Sequence, residues 1–135
     1  MKKRRAYNER EELGRKRQKA RENEAKFKEL KGKFFGIAFT DGIIQVRVLE
    51  SVDEYMEEGR AMHHCVFDGS YFLRPESLVL SATIDGNRVE TVEISLKTLK
   101  VVQSRGVCNQ NTEHHDRIVK LVKKNMKQIR SRLAA

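Results

Sequence analysis

The chain has little of several features that would point to export or to membrane insertion. Its 135 residues include no tryptophan, a single proline and two cysteines, Cys65 and Cys108. Two cysteines are too few for a disulfide scaffold, and the chain lacks the run of roughly 18 apolar residues that a transmembrane helix needs. The charged N-terminus has no apolar stretch behind it, unlike a secretory signal. We therefore expect a cytoplasmic protein with reduced thiols.

Positive charge is abundant but unevenly distributed. The net charge is +9. Residues 1–33 hold 14 basic and 6 acidic residues, residues 34–111 hold 7 and 11, and residues 112–135 hold 7 and 2. Two basic ends therefore flank an acidic middle, which favours a polyanion as the partner of the ends. The alternative is that both ends are solvated helices whose charge keeps the protein soluble.

The N-terminal end has the composition of an exposed helix. Residues 6–31 are rich in Glu, Lys, Arg, Gln and Ala, which favour helices, and only the last turn, from Phe27, can pack well. We predict a basic helical arm or linker over residues 1–33 and a domain over residues 34–135. The arm residues expected to contact phosphates are Arg4, Arg5, Arg15, Lys16, Arg17, Lys19 and Arg21.

A hairpin and a helix are predicted at the start of the domain. Two β-rich runs, residues 34–40 and 43–49, flank Asp41-Gly42, which is a strong hairpin signal. Ser51 followed by Glu54 has the spacing of a capping box at a helix start. We expect the helix to run from Val52 to about Cys65 and to bury Val52, Tyr55, Met56, Gly59, Met62 and Val66.

Three further strands and a last helix are predicted after a loop. The strands are expected over residues 77–84, 88–96 and 98–104, and the alternation of Val92 and Ile94 with Thr91 and Glu93 favours a sheet with one buried face. Thr112 is expected to cap the last helix. Its buried stripe should comprise Ile118, Leu121, Val122, Met126 and Ile129.

The fold class that follows is α+β. We predict an antiparallel sheet, made of the hairpin and the three-stranded meander, that packs with the middle helix and the C-terminal helix. The charged N-terminal helix is expected to project from this unit or to lie across it.

Two short segments hold most of the reactive side chains: His63-His64-Cys65, and the stretch from Gln103 to Asn109. Cys with His could form an activated nucleophile, or His could act as a base in a phosphodiester reaction while Glu93, Gln103 and Asn109 position a metal or a phosphate. The candidate catalytic residues are His64, Cys65, Glu93, Gln103 and Asn109. The alternatives are a structural His63, a solvent-facing Glu93 and an ordinary glycine turn at Gly106, a residue that can take a positive φ.

A metal ion or an anion is also compatible with these segments. The cysteines and histidines supply ligands for zinc, but neither C-x-x-C nor H-x-x-x-H occurs, so no metal residues are predicted. Backbone N–H groups near Gly106, with Arg105 beside them, could hold an anion. Arg88 and Arg105 join the candidate nucleic-acid contacts. The cofactor is unknown.

The order of these motifs resembles the PcfJ-like family. The matching positions span about residues 50–125 and are Glu58-Gly59, Met62 to Val66, Tyr71, Arg88, Thr91 to Ile94, Gln103, Gly106 and Asn109. The resemblance implies a protein of conjugative plasmids, integrated mobile elements or phages that takes part in DNA transfer, with the relaxase among its candidate partners. It implies no agreed reaction.

Three hypotheses about function follow. The first is a DNA-associated accessory protein of a mobile element, which binds DNA phosphates through its basic ends and holds the two motifs in a cleft. The second is an enzyme that acts on nucleic acid or on a nucleotide with the same cleft. The third is a scaffold whose N-terminal helix docks on an acidic protein.

Overall fold

The computed structural model describes residues 15, 18–19, 21–63 and 73–135, and of Asn109 it describes the backbone only. These residues form the predicted α+β fold, with one five-stranded antiparallel sheet. The strands are β1 (Ala38–Thr40), β2 (Ile44–Val48), β3 (Ser77–Ile84), β4 (Asn87–Ser95) and β5 (Lys100–Arg105). The helices are α1 (residues 21–31), α2 (Val52–Met62), α3 (His115–Lys124) and α4 (Met126–Ala134).

β1 and β2 form the predicted hairpin around Asp41-Gly42. The Asp41 carboxylate accepts backbone hydrogen bonds from Ile43 and Ile44, and these bonds lower the pKa of Asp41 to about 2. The first strand is shorter than predicted. A 3-10 turn at Gly32–Phe34, followed by Gly36 with a φ of +88°, occupies the stretch where the strand was expected to begin.

α2 begins where its capping signal predicts and ends earlier than predicted. The Ser51 side chain accepts a hydrogen bond from the Glu54 N–H at 3.0 Å, as an N-cap does. At the other end His63 is left-handed, with φ +52°, and its N–H is bonded to the Gly59 carbonyl. The prediction of a helix reaching Cys65 is therefore wrong, because a left-handed residue stops the helix after Met62.

The predicted meander is confirmed and joins the hairpin in one sheet. The strands are ordered β1-β2-β3-β4-β5, and β2 pairs with β3 through Val48 and Leu80. β3 has the predicted bounds. Asp85 and Gly86 both have positive φ in the turn to β4, and Leu99 has φ +55° in the turn to β5.

Both faces of the sheet are covered. On one face the apolar side chains of β4, Val92 and Ile94, pack with α3 and α4. On the other face Val79 packs with Phe27 of α1 and Tyr55 of α2. The prediction of a single buried face is therefore wrong for β4, because helices cover the polar face that the alternation suggested was open to solvent.

The end of α1 is part of this packing, as its sequence predicts. Phe27 and Lys31 are fully buried. The Glu24 carboxylate accepts a hydrogen bond from the N–H of Val52, the first residue of α2, at 2.9 Å. The boundary at residue 33 stays a prediction, but the last two turns of α1 before it are packed on the domain.

The C-terminal region forms two helices where one was predicted. The break lies at Asn125, whose side chain donates to the Leu121 carbonyl at 2.9 Å. The predicted stripe is nevertheless buried in full. The cap lies two residues later than predicted: His114 occupies the N-cap position of α3, while the Thr112 hydroxyl accepts from the His114 N–H at 3.2 Å and also bonds to Glu90.

Gly106 connects β5 to the turn that precedes α3, and its backbone is extended, with φ −84°. The glycine is needed here for space, not for a positive φ. A Cβ at this position would lie 2.9 Å from the Gln110 carbonyl oxygen and 3.2 Å from that of Val89.

We expect Gly106→Ala to lower the free energy of unfolding by about 2 kcal/mol, because backbone must move to admit the methyl group. Gly32→Ala is the control, since no atom lies within 4 Å of its Cβ position; we expect it to change stability by less than about 1 kcal/mol. Urea denaturation measures both. Equal losses in the two variants would contradict the crowding at Gly106.

Candidate functional site

Three glutamates on or against β4 are almost completely removed from solvent. Glu58, Glu90 and Glu93 have exposures of 1%, 0% and 7%. Glu93 points to the face covered by α1 and α2, Glu58 reaches that face from α2, and Glu90 points to the face covered by α3. Burying a carboxylate is costly unless several donors satisfy it, so the donors around each one define the candidate site.

Glu93 and Gln103 are brought together by the pairing of β4 with β5. The two residues are cross-strand partners, and the Gln103 side-chain amide donates to Glu93 Oε1 at 2.9 Å. The Ser77 hydroxyl donates to Glu93 Oε2 at 2.8 Å. The structure therefore unites two of the five predicted catalytic residues, and the interpretation of Glu93 as a solvent-facing strand residue is wrong.

The other predicted catalytic residues are not placed by this geometry. His64 and Cys65, together with Tyr71, lie outside the described residues, and the Asn109 side chain does too. Their roles stay predictions. The neighbouring His63 is exposed at the end of α2, which contradicts its interpretation as a partly buried structural histidine.

The turn at Val107–Asn109 lies against α2. Within it Cys108 has φ +58°, a left-handed conformation that is unusual for a residue with a side chain, and its thiol is exposed. The segment after β5 therefore approaches the helix that carries Glu58 and ends before the His-His-Cys motif. His64 and Cys65 lie outside the described residues, so a common site for the two motifs stays a prediction.

Glu58 is held by a network that sequence analysis did not identify. It accepts hydrogen bonds from Arg88 Nε at 2.8 Å, Ser81 Oγ at 2.9 Å and Thr91 Oγ1 at 2.6 Å. A signal for it was available: Glu58 lies three residues after Tyr55 and four before Met62, on the buried stripe of α2. Met56, which was predicted to be buried, is 40% exposed.

Glu90 is the centre of a second network on the opposite face. It accepts from Ser104 Oγ at 2.6 Å and from the Thr112 hydroxyl and N–H at 2.6 and 2.9 Å, and it pairs with His115 Nδ1 at 2.9 Å. Burial acts to raise the pKa of Glu90, but these hydrogen bonds outweigh it and the pKa is lowered. The alternation of β4 indicates that Glu90 shares the face of Val92, whereas nothing in the sequence indicates its pairing with His115.

Lys31 and Tyr55 complete the surroundings of Glu93. The Lys31 ammonium donates to the backbone carbonyls of Arg74 and Ser77. Burial lowers the pKa of Lys31 to about 8, with the neighbouring Glu93 charge opposing the change. Burial also raises the pKa of Tyr55 far above its usual range, so its phenol is neutral. Glu93 thus has a cation and a neutral hydroxyl nearby.

Open cavities adjoin the networks of Glu58 and Glu93. One, of about 580 Å³, lies over β1, β2 and β3, and both Arg47 and Arg88 line it. Another, of about 440 Å³, is lined by Glu93, Ser95 and the 74–77 segment. Glu93 is therefore reachable from the second cavity even though the carboxylate is mostly buried.

The predicted nucleic-acid residues have different surroundings. Arg4, Arg5, Lys16 and Arg17 lie outside the described residues, whereas Arg15, Lys19 and Arg21 are exposed on the N-terminal helix.

The two predicted arginines of the domain differ in the same way. Arg105 is exposed and donates to Asn111 Oδ1 at 3.0 Å. Arg88 is engaged by Glu58 and lies 3.8 Å from Glu57. An additional contact of Arg88 with phosphate would therefore compete with a buried carboxylate.

The described part of the chain contains neither a candidate metal-binding group nor a helix that could span a membrane. Its histidines, cysteines and acidic residues form no group of three that could bind a metal ion. Among its helices, none has the length and apolar composition needed to cross a bilayer.

Comparison with protein families identifies the class to which this arrangement belongs. Residues 3–119 match the family described as PcfJ-like protein. Because the match covers most of the 135 residues, the chain belongs to the PcfJ-like family, as its motifs suggested. No curated protein and no solved structure matches the chain significantly.

We expect Arg88→Met to lower the free energy of unfolding by about 3 kcal/mol, because it leaves the buried Glu58 carboxylate without its cation. Adding Glu58→Gln should restore part of this loss. Arg47→Met is the matched control. Its partner Glu54 is 30% exposed, so we expect a loss below about 1 kcal/mol. Urea denaturation that gave equal losses for the two arginine variants would contradict the role of Arg88.

The stability of the protein should rise with pH in the range set by Lys31. Below about pH 8 the ammonium is protonated in both the folded and the unfolded state, so its contribution is constant. Between about pH 8 and the ordinary value of 10.5 the unfolded state binds more protons, so the free energy of unfolding increases with pH. By about pH 9.5 this increase should approach about 2 kcal/mol.

Lys31→Met lacks this proton, so its free energy of unfolding should lack the increase. The measurement is the difference in unfolding free energy between wild type and variant at pH 7 and pH 9.5, since other titrating groups are shared. A difference that did not change with pH would contradict the lowered pKa.

Proposed function

We propose that the protein is a DNA-associated accessory protein of a mobile genetic element, in conjugative transfer or in a phage. It acts in the cytoplasm and binds DNA phosphates through basic surfaces at both ends of the chain, with the relaxase or another transfer protein as a candidate partner. Membership of the PcfJ-like family supports this setting. The distribution of charge on the folded domain supports binding to a polyanion.

The main support for this proposal is the positive charge on the outer surface of α3 and α4. Residues 117–135 contain seven basic and no acidic residues. Five of the basic side chains are exposed and form no hydrogen bond or ion pair with other described residues. They are Lys120, Lys123, Lys124, Lys127 and Arg130. We call these five residues the C-terminal basic surface.

Acidic residues of the middle region are buried in the domain, so they lie away from the C-terminal basic surface. Glu58, Glu90 and Glu93 are buried and bonded within the domain. Arg88 compensates the charge of Glu58 and Lys31 compensates that of Glu93, so these two acidic residues of the middle oppose a polyanion less than a count of acidic residues suggests. On the N-terminal helix Arg15, Lys19 and Arg21 add exposed positive charge.

Phosphate contacts predict a steep salt dependence. We expect Lys120→Gln with Lys124→Gln to weaken duplex DNA binding and to reduce the slope of log K against log salt by about 2, since each lost phosphate contact removes roughly 0.9. The control is Lys97→Gln with Lys100→Gln, which removes the same charge at the β4–β5 turn. Fluorescence anisotropy across a salt series measures all three proteins.

The comparison of the two double variants distinguishes binding through one surface from binding that depends on the total charge. If the control pair reduced the slope as much as the helix pair, binding would depend on total charge. The assignment of the C-terminal basic surface as the DNA-binding surface would then be wrong. Wild type that bound neither single- nor double-stranded DNA would overturn the proposal. A variant with Arg15, Lys19 and Arg21 changed to Gln reports the share of the N-terminal arm.

The alternative function is an enzyme acting on nucleic acid or on a nucleotide. One observation favours it: Glu93 and Gln103 touch each other, and Glu93 lines a cavity of about 440 Å³. His64, Cys65 and Asn109 would complete that site. The DNA samples from the binding series, incubated and then separated on a denaturing gel, test this alternative. Cleavage lost on Gln103→Ala with DNA affinity unchanged would favour the enzyme.

A further inference from the structure

A groove between β5 and α3 combines residues of the Gln103–Asn109 segment with residues of α3 that neither motif includes. β5 is an edge strand of the sheet formed by the described residues. The groove beside it has a volume of about 280 Å³, close to the lower end for small-molecule sites. Its lining includes Arg105 and Asn111 at one end, and His115, Val119 and Lys123, which are spaced four residues apart along α3.

His115 is oriented in this groove by Glu90. Its Nδ1 lies 2.9 Å from Glu90 Oε1, and the side chain is 26% exposed. Hydrogen bonds from Ser104 and Thr112 offset burial and keep the pKa of Glu90 lowered, so the carboxylate is ionised and can only accept. Nδ1 therefore carries the hydrogen, and in the neutral ring Nε2 is a hydrogen-bond acceptor.

Nε2 has no hydrogen-bond partner among the described residues. Because His115 lines the groove, a ligand there could supply that partner. A carboxylate that fixes the tautomer of an imidazole is a recurrent arrangement where the second nitrogen contacts a ligand. Here the carboxylate is fully buried and bonded by Ser104 and Thr112. The ring is thus held by a rigid support and not by a mobile surface residue.

Two cations lie along the same groove. Arg105 donates one of its N–H groups to Asn111 and keeps others for a second acceptor, since a guanidinium has five. Lys123 is exposed and belongs to the C-terminal basic surface. The groove thus offers positive charge for an anion, one nitrogen acceptor for a hydroxyl, and the apolar Val119 between His115 and Lys123.

We infer that this groove binds one nucleotide: its phosphate contacts Arg105 and Lys123, and a sugar hydroxyl donates to His115 Nε2. The nucleotide is either a free mononucleotide or the end of a nucleic-acid strand. The second source rests on the proposed function, whereas the first does not. Glu90 is a positioning residue, because it acts through His115.

The test is an NMR titration of the ¹⁵N-labelled full chain. Deoxyadenosine monophosphate is compared with deoxyadenosine, which lacks the phosphate, and with a 5′-phosphorylated tetranucleotide. We expect saturable shifts at the His115 imidazole and the Val119 amide with the nucleotide, and affinity about a hundredfold lower for the nucleoside, the size of two charge-assisted hydrogen bonds. Tighter binding of the tetranucleotide identifies a strand end, and tighter binding of the mononucleotide identifies the free ligand.

Two variants test the contacts of the nucleotide with His115 and Lys123. His115→Phe removes the acceptor and Lys123→Gln removes an exposed charge; each should weaken nucleotide binding about tenfold. Lys97→Gln is the charge-matched control and should leave the affinity unchanged. Absence of saturable shifts in wild type, or equal effects of Lys123→Gln and Lys97→Gln, would overturn the inference. Duplex DNA affinity is measured separately, so this site and the proposed function can fail independently.

Discussion

The burial of three carboxylates around β4 is the constraint on which the rest of the structure depends. A buried carboxylate is tolerated only when several donors converge on it. The donors here come from β3, β4, β5, α3 and the segment before α3, so each carboxylate ties β4 to different neighbours. A one-residue slip of β4 would bring Glu90 to the face of Glu93 and place Val92 under α2. The polar contacts therefore fix the register of β4 more strictly than the apolar core alone would.

The same constraint changes how the charge of the chain is presented. In the sequence, acidic residues outnumber basic ones over residues 34–111. In the fold, Glu58 is paired with Arg88, Glu93 has Lys31 as a neighbour, and Glu90 is surrounded by hydroxyls and His115. The charges of Glu58 and Glu93, each with a cation beside it, contribute little to the field outside the protein. The exposed lysines and arginines at both ends therefore dominate the surface more than a count along the sequence would indicate.

Local chemistry made much of the fold predictable, and tertiary contacts explain what was missed. Capping at Ser51 and the turn at Asp85-Gly86 depend on neighbouring residues, so the helix start and the meander could be predicted. The burial of Glu93 could not, because alternation shows that two faces differ but not that helices cover both. The contact of Glu93 with Gln103 depends on the β4–β5 register, which includes an irregularity between Glu93 and Ile94. His115 and Glu90 are 25 residues apart, and no local signal joins them.

β5 explains why reactive residues on opposite faces belong to one structural unit. Consecutive side chains in a strand point to opposite faces. Gln103 accordingly bonds to Glu93 beneath α1 and α2, while Ser104 bonds to Glu90 beneath α3. The strand then continues into Gly106, whose crowded position leaves little freedom for the following turn against α2. A ligand that displaced this edge strand on one face would therefore disturb the carboxylate on the other, because the two donors share one backbone. Glu93 and the groove at His115 are thus connected through β5, whose Gln103 bonds to Glu93 and also lines the groove.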